Sequence, residues 1–359
     1  MEIQLIESVI WTLVVILVII ITILVIYLKV LRNNIRVNVR RNTNYTAQVE
    51  GLLINFLYSG EEGDQYSKSQ KKIIKEFKKG LPSKRKRKII IQTFIKLGHE
   101  VSGNMVVEMY KLYEEIGLLN YTIKKLRSKK WNVIAIGIRD LREFKVKKTQ
   151  HLIKKFINHR RQEVRREAHL YFLQLFGYDG LSFLDNLKVP ISEWDQIQLL
   201  GEIEKIENHE ILDVIKWLRS KNVYVVTLML RVVKFFNRLE TKEVLLDMLN
   251  HSNLVVRLSV IDILTHFEVK EAKGILKNKI EELSLKEKIA FFKLLEKIAT
   301  KEDSLLVLDY INHENFELKY KALRILKTID ENLYSKLENT SEDESYNKIK
   351  NFLDYSYGI

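Results

Sequence analysis

Residues 248–260 read Met248-Leu249-Asn250-His251-Ser252-Asn253-Leu254-Val255-Val256-Arg257-Leu258-Ser259-Val260. The stretch holds the end of one apolar-periodic segment, a short polar turn, and the start of a second such segment. The same order recurs without gaps twice more. Phe156-Ile157-Asn158-His159 leads to Val164-Arg165 and on to Leu175, and Tyr310-Ile311-Asn312-His313 leads to Leu318-Lys319 and on to Ile329. Weaker copies centre on Val133, Trp194, Val225 and Leu285, so the anchor positions 133, 164, 194, 225, 256, 285 and 318 follow one another at a nearly even step.

That step, close to thirty-one, fits one helix of about ten residues, a second of about thirteen, and two short turns. Neither helix can bury its apolar stripe alone, so neighbouring pairs have to stack. The turn residues agree. Asn222, Asn253 and Asn315 precede the second helix, where an Asn side chain can accept an orphan N–H. Ala168, Val260 and Ala322 put slim side chains four residues past the anchor, where helices approach. In the Asn-His pairs, Asn is expected in the left-handed position closing the first helix, with His bonding the last carbonyls. Trp131, Trp194 and Trp217 read as core positions, and Arg165, Arg257 and Lys319 as links between repeats.

These motifs resemble HEAT-type repeats, in particular the shorter HEAT-like kind with Asp-x-x-Val-Arg-x-x-Ala. Here the motif reads Arg161-Gln162-Glu163-Val164-Arg165-Arg166-Glu167-Ala168 and Asn253-Leu254-Val255-Val256-Arg257-Leu258-Ser259-Val260. Asn or a basic residue stands where the family prefers Asp. The resemblance covers about Ile73 to Asp330 and implies a right-handed α-solenoid of helical hairpins. Tetratricopeptide and ankyrin signatures are missing.

From Ser8 to Leu28, between Glu7 and Lys29, the chain has no charge, no Gly and no Pro, and Val, Ile and Leu make up most of the run. As a helix it spans about 31 Å at 1.5 Å per residue, which matches a hydrocarbon core of about 30 Å. Most of its apolar residues are β-branched, a handicap to a helix in water that lipid overrides, because there the backbone must bond to itself. A cleaved signal peptide would carry a basic start, a shorter run and small residues after it. Instead Glu2 and Glu7 precede the run, and Lys29, Arg32, Arg36, Arg40 and Arg41 follow it. The positive-inside rule then predicts a single-pass protein, N-terminus outside and the remainder in the cytoplasm, with a bacterial inner membrane as the expected setting.

The expected organisation is a tail at 1–7, a transmembrane helix at 8–28, a basic juxtamembrane linker and helix at 29–68, a HEAT-like solenoid at 69–337, and an acidic linker with a short closing helix at 338–359. Within it, 33–46 reads as a polar stretch before an apolar helix at 47–58. Ile73–Lys79 and Ile89–Leu97 read as an atypical capping pair, and 103–118 as an extra helix. The formal net charge is +14, yet residues 29–98 carry 17 basic and 5 acidic side chains while 181–359 carry 26 and 30. The basic excess therefore lies toward the apolar run, where anionic headgroups attract Lys and Arg. Arg32, Arg36, Arg40 and Arg41, with Lys84-Arg85-Lys86-Arg87-Lys88 in a helix–helix turn, are the candidate lipid or anion contacts.

Signals for catalysis are missing. There is no Cys, no GxxxxGK[ST] and no GxGxxG. His99-Glu100, His209-Glu210 and His313-Glu314 lack a second His four residues after the first, where Gly103, Asp213 and Glu317 stand, so a zinc face cannot form. With 13 Gly and 2 Pro, a many-stranded barrel or a Pro/Gly-rich disordered chain is excluded. The expectation is an all-α, membrane-anchored, non-catalytic scaffold without cofactor, whose partner is a membrane-associated protein. The layout is similar to membrane-anchored HEAT-like proteins of bacteria, which implies an accessory role beside a membrane glycosyltransferase. The alternative is a basic solenoid that binds acidic lipid or an anionic polymer such as nucleic acid.

Overall fold

Helix-forming stretches separated by Asn, Ser and Asp caps leave no strand among the described residues of the computed structural model, which are 2–59, 66–206, 213–337 and 344–356. The side chains of 2–10 and 12–14 are outside the description, as are residues 338–343 of the expected acidic linker and His209-Glu210. The chain divides into two compact units, Met1–Tyr171 and Phe172–Ile359.

The first unit begins with α1 (Glu2–Tyr58), 57 residues without a break. The sequence suggests a break at the polar stretch 33–46, but none occurs. No Gly or Pro falls between Leu28 and Gly51, and Thr43 spends its hydroxyl on the Val39 carbonyl, 3.1 Å away on the same helix. The described residues from Val15 on include an 18-residue window of mean hydropathy 2.7 with none of it buried, long and apolar enough to cross a membrane. Residues 29–41 are exposed as well, a bare helical stalk. Only from Val49 through Leu53 to Phe56 does one face of α1 become fully buried, against α2 (Lys68–Gly80) and α3 (Lys84–Glu100).

The capping box of Ser67 and Gln70 starts α2, and Gln70 also donates to the Phe56 carbonyl at 3.2 Å. Then come α4 (Asn104–Glu115), α5 (Leu118–Leu126) and α6 (Trp131–Glu143). The extra helix expected at 103–118 is α4, with Met109, Leu112 and Tyr113 inward. Tyr113 stacks on Phe144 at 3.8 Å and donates to Thr122 at 2.6 Å, which leaves no polar atom of that large buried ring unmatched. The short α7 (Gln150–Ile153) precedes α8 (Gln162–Phe176).

In the second unit the helices alternate short and long: α9 (Glu193–Glu204), α10 (Val214–Leu218), α11 (Val223–Phe235), α12 (Lys242–Met248), α13 (Leu254–His266), α14 (Lys270–Asn278), α15 (Leu285–Ile298), α16 (Ser304–Leu308), α17 (Phe316–Ile329), α18 (Glu331–Ser335) and α19 (Glu344–Ser356). Each of α11, α13, α15 and α17 packs on the short helix before it, and each of the first three packs on the next long helix; α9 packs on α11. The long helices have the expected 13 or 14 residues. The short ones have 5 to 9 rather than about ten, because 3₁₀ turns such as Leu239–Thr241 and Lys301–Asp303 take up part of the segment. The closing helix α19 buries Tyr346, Ile349 and Leu353.

Two expectations about the turns are corrected. Among the described non-Gly residues, positive φ occurs at Lys145, Asn237 and Glu268, not at Asn158, Asn250 or Asn312. Those three end the long helices α6, α11 and α13, where a 6→1 bond closes each turn: Val146 N to Leu141 O at 2.9 Å, Arg238 N to Val233 O at 3.0 Å, and Val269 N to Leu264 O at 3.0 Å. The histidines reach the closing carbonyls through their backbone N–H groups alone, His159 to Phe156 at 3.1 Å, His251 to Met248 at 3.0 Å and His313 to Tyr310 at 3.2 Å, and not through their rings. Nδ1 of His159, His251 and His313 instead accepts the N–H two residues on, from Arg161, Asn253 and Asn315 at 3.0–3.1 Å. Each His therefore bends the chain into the next helix, whose cap Asn253 or Asn315 then accepts from Val255 N or Leu318 N.

Candidate protein-interaction face

Val164, Val256 and Leu318 are fully buried, as the repeat requires, and so are Ala168, Val260 and Ala322. The residue after each anchor clamps. Arg165 Nη1 donates to the His159 carbonyl at 2.8 Å, and Arg257 Nη1 to the His251 carbonyl at 2.8 Å. Arg257 Nε also reaches Glu287 on α15 at 2.5 Å, an expected link between repeats. Lys319, buried, donates to Ser345 at the start of α19 at 2.7 Å. Arg165, by contrast, serves its own turn.

The weaker anchors need re-registering. Leu285 is 45% exposed and Trp194 61%; one repeat length after Val256 and Val164 stand Glu287 and Asp195, both buried. Apolar pattern alone slid to a nearby residue because the buried position is a carboxylate there. Val133 is half-buried, with Ile134 taking the core position. Of the tryptophans read as core, only Trp217 is buried, its Nε1 donating to Asp185 at 3.1 Å; Trp131 is 39% exposed.

The exposed residues form a pattern of their own. The first turns of α9, α11, α13, α15 and α17 carry Trp194, Tyr224, Val255, Leu285 and Phe316, one repeat length apart and 40–61% exposed. Trp194, Tyr224 and Val255 each occupy the second position of their helix; Leu285 and Phe316 occupy the first. Scattered exposed apolar residues are normal, but one per repeat at the same turn is a row.

On α11 and α13 the next turn carries hydroxyls, whereas on α9 it carries the exposed Ile197. Thr227 donates to the Tyr224 carbonyl at 3.1 Å and Ser259 to the Val255 carbonyl at 2.9 Å. Ion pairs link the same helices. Arg231 pairs with Glu193 at 2.9 Å, Asp262 takes both Lys234 and Lys293, and Glu296 takes both Lys321 and Arg324. Burial alone would raise the Asp262 carboxyl, but the two lysines outweigh it and hold it below the usual carboxylate range. Two carboxylates shared by two cations each leave these groups net positive. Between α9, α11 and α13 the surface sinks into a groove of about 670 Å³, lined by Gln196, Leu200, Arg231, Phe235, Val255 and Asp262 among others.

The basic candidates belong to the first unit. Lys84–Lys88 form the first turn of α3, after the Ser83 cap, rather than a loop. Arg87 donates to the Leu81 carbonyl at 2.6 Å and lies over Tyr121; Lys86 lies over the Tyr45 ring of α1. Lys84, Arg85 and Lys88 are exposed. Between Leu28 and Tyr45 the helix rises about 25 Å, which separates the run from the end of the apolar stretch. Arg32, Arg36, Arg40 and Arg41 are exposed on the bare stalk.

No family model matches the chain, and no curated protein matches it. Two crystal structures of engineered proteins from a structural genomics consortium are similar to it at 14% and 13% identity, with TM-scores of 0.33 and 0.24. They cover 84% and 72% of this chain and 97% and 96% of their own. Among the described residues no three His, Cys, Asp or Glu side chains converge as metal ligands. The charged groups facing the groove, Glu193, Arg231, Lys234 and Asp262, are paired with one another or with neighbouring side chains.

Proposed function

We propose that this chain is a membrane-tethered, non-catalytic scaffold that holds a membrane-associated protein against the long-helix face of a HEAT-like, right-handed α-solenoid. The observation that carries the reading is the row of exposed apolar side chains, Trp194, Tyr224, Val255, Leu285 and Phe316, repeated once per helical pair. About half of each of these side chains is left in solvent by the fold, and desolvating aromatic anchors is how protein interfaces gain most of their energy. The long apolar α1 supports a tether, and the basic residues immediately after it support a cytoplasmic placement at a bacterial inner membrane. Confinement to a thin layer raises the effective concentration toward a partner in the same membrane. The layout's similarity to bacterial membrane-anchored HEAT-like proteins makes a membrane glycosyltransferase the first partner to test.

On an upright α1 the Lys84–Lys88 run stands about three Debye lengths from the headgroups at physiological salt. Lipid contact there needs a tilted helix, while Arg32 and Arg36 meet the surface without one. The test is affinity capture of the full chain from native membranes, side by side with a Trp194→Ala/Phe316→Ala variant. The scaffold reading expects a protein retained by the unaltered chain at moderate salt and lost from the variant. Retention by both, or nucleic acid or lipid as the only retained species, contradicts it.

A further inference from the structure

We propose that the first turn of α3, with the part of α5 it touches, binds a small anion that carries several phosphoryl groups and comes from the aqueous phase beside the membrane. This site lies in the first unit and stands or falls apart from the scaffold reading.

Crowded charge is the starting observation. Lys84, Arg85, Lys86, Arg87 and Lys88 follow one another at the start of α3, where like charges three and four residues apart repel. Several cations on the same group of helices are neutralised: Lys78 by Glu115, Lys79 by Glu76, Lys96 by Glu50 and Lys125 by Asp140. Among the described residues, no carboxylate lies within 4.0 Å of the five or of Lys124 on α5.

Two tyrosines gather these cations. Tyr121 of α5 has the Arg87 guanidinium 4.3 Å from its ring centre and the Lys124 ammonium at 5.7 Å, and Tyr45 of α1 has Lys86 at 5.1 Å. Arg87 also donates to the Leu81 carbonyl at 2.6 Å, which fixes its stem and leaves the rest of its fork for a ligand. Exposed lysines are ordinary on a basic surface, as Lys71, Lys72 and Lys75 of α2 show. Cations of two helices held together over rings are not ordinary. Their side chains are already ordered in the folded chain, so an anion that meets them gives up less on binding.

Size and surroundings select the anion. From Lys84 to Lys88 the helix rises about 6 Å, the reach of two or three linked phosphoryl groups. Such groups bring several negative charges into that length and offer the guanidinium fork paired oxygens, whereas carboxylates bring one charge each. A nucleic-acid strand advances about 3.4 Å per nucleotide, occupies four or more, and stacks its bases on open aromatic faces. Here the rings of Tyr45 and Tyr121 are engaged by the protein's own cations. Between Tyr58 and Trp131 the only exposed large apolar side chain among the described residues is Val107 on α4, so the turn has no apolar anchor for a protein. Lipid phosphates are the other source of this chemistry. Tyr45 stands about 25 Å along α1 from Leu28, and a headgroup layer is about 5–8 Å thick, so on an upright helix the bilayer does not reach the turn.

The experiment titrates sodium tripolyphosphate, by calorimetry, into the full chain in phosphatidylcholine nanodiscs and in phosphatidylglycerol-rich ones. Saturable one-to-one binding of equal affinity in both is expected. Lys84→Gln/Arg85→Gln/Lys88→Gln should weaken it at least tenfold, and Lys71→Gln/Lys72→Gln/Lys75→Gln, which removes the same charge from α2, less than about twofold. All six side chains are exposed, so an unchanged melting curve verifies folding. Tyr121→Leu keeps every charge but releases Arg87 and Lys124, and should weaken binding about threefold. No saturable binding, equal losses from the two triple variants, or full affinity in Tyr121→Leu would each overturn the proposal. Loss of binding in the phosphatidylglycerol-rich discs would give the turn to lipid headgroups, and tighter binding of single-stranded dodecathymidylate would give it to nucleic acid; either result overturns it too.

Discussion

Removing the Glu287 carboxylate tests whether the repeats are coupled through charged positions inside their contacts. Glu287 is 3% exposed. It accepts from Ser284 N at 3.1 Å, from Ser284 Oγ at 2.5 Å, and from Arg257 Nε at 2.5 Å across the α13–α15 contact. Burial by itself would raise its pKa; the bonds from Arg257 and Ser284 outweigh that and hold the carboxyl below the ordinary glutamate range. Glu287→Ala loses a helix cap, about 1 kcal/mol, and a charge-assisted hydrogen bond, about 1.5 kcal/mol. The stranded Arg257 keeps the His251 and Ser252 carbonyls and some solvent, so the loss stays below the roughly 3–5 kcal/mol typical of breaking a fully buried pair. We expect about 2–3 kcal/mol for Glu287→Ala and about 2 kcal/mol for Arg257→Ala, with a coupling of about 1–2 kcal/mol in the double-mutant cycle. Because the folded pKa is depressed, this stability is present above the unfolded pKa of about 4.5 and disappears as pH falls through the folded value. Urea unfolding of the four detergent-solubilised full-length chains, followed by far-ultraviolet circular dichroism at pH 7 and pH 3, measures it. A coupling at pH 7 of less than about 0.5 kcal/mol, the scatter expected of independent sites, refutes the reasoning.

His169 is buried, and burial pushes its pKa down to about 4 although its Nε2 contacts the Ile157 carbonyl at 3.0 Å. The unfolded chain therefore takes up a proton first, so stability should fall by about 2 kcal/mol between pH 7 and pH 5, a slope that His169→Gln should flatten in urea titrations. Trp194→Ala should move the melting temperature by less than about 2 °C, whereas Phe291→Ala, fully buried on α15, should cost about 3–5 kcal/mol. A Cβ at Gly180 would collide with the Phe172 carbonyl, so Gly180→Ala should destabilise by about 2 kcal/mol or more in the same unfolding assay. Ile20→Lys, placing a charge amid the apolar stretch, should shift the chain from the carbonate-resistant membrane fraction toward the soluble one.

The long helices were legible because Val225, Val256 and Leu318 keep the period in apolar residues that the core then buries. Where the buried position is Asp195 or Glu287, apolar pattern pointed one or two residues aside, to side chains that face solvent. The Asn caps could be read from residue type. The left-handed closures at Lys145, Asn237 and Glu268 could not, since two of the three offer no residue that prefers that region. The exposed row was hidden for a related reason. Trp194 and Leu285 look like core by composition, and only their exposure reveals a second series of the same period running beside the buried one. That series could have been found by asking which apolar residues flank the anchors. The continuity of α1 through residues 33–46 was obscured by Asn33, Asn34 and Asn38, polar residues that a solvent-exposed stalk tolerates.

Site-specific photocross-linking in native membranes tests the account most directly. A photoreactive residue at Val255 on the row face should yield an adduct with a discrete membrane-associated protein, and the same residue at Lys270, exposed on the short helix α14, should yield none. Equal adducts from both positions, or none from Val255 while the chain stays in the membrane, would contradict a scaffold that works through its long-helix face.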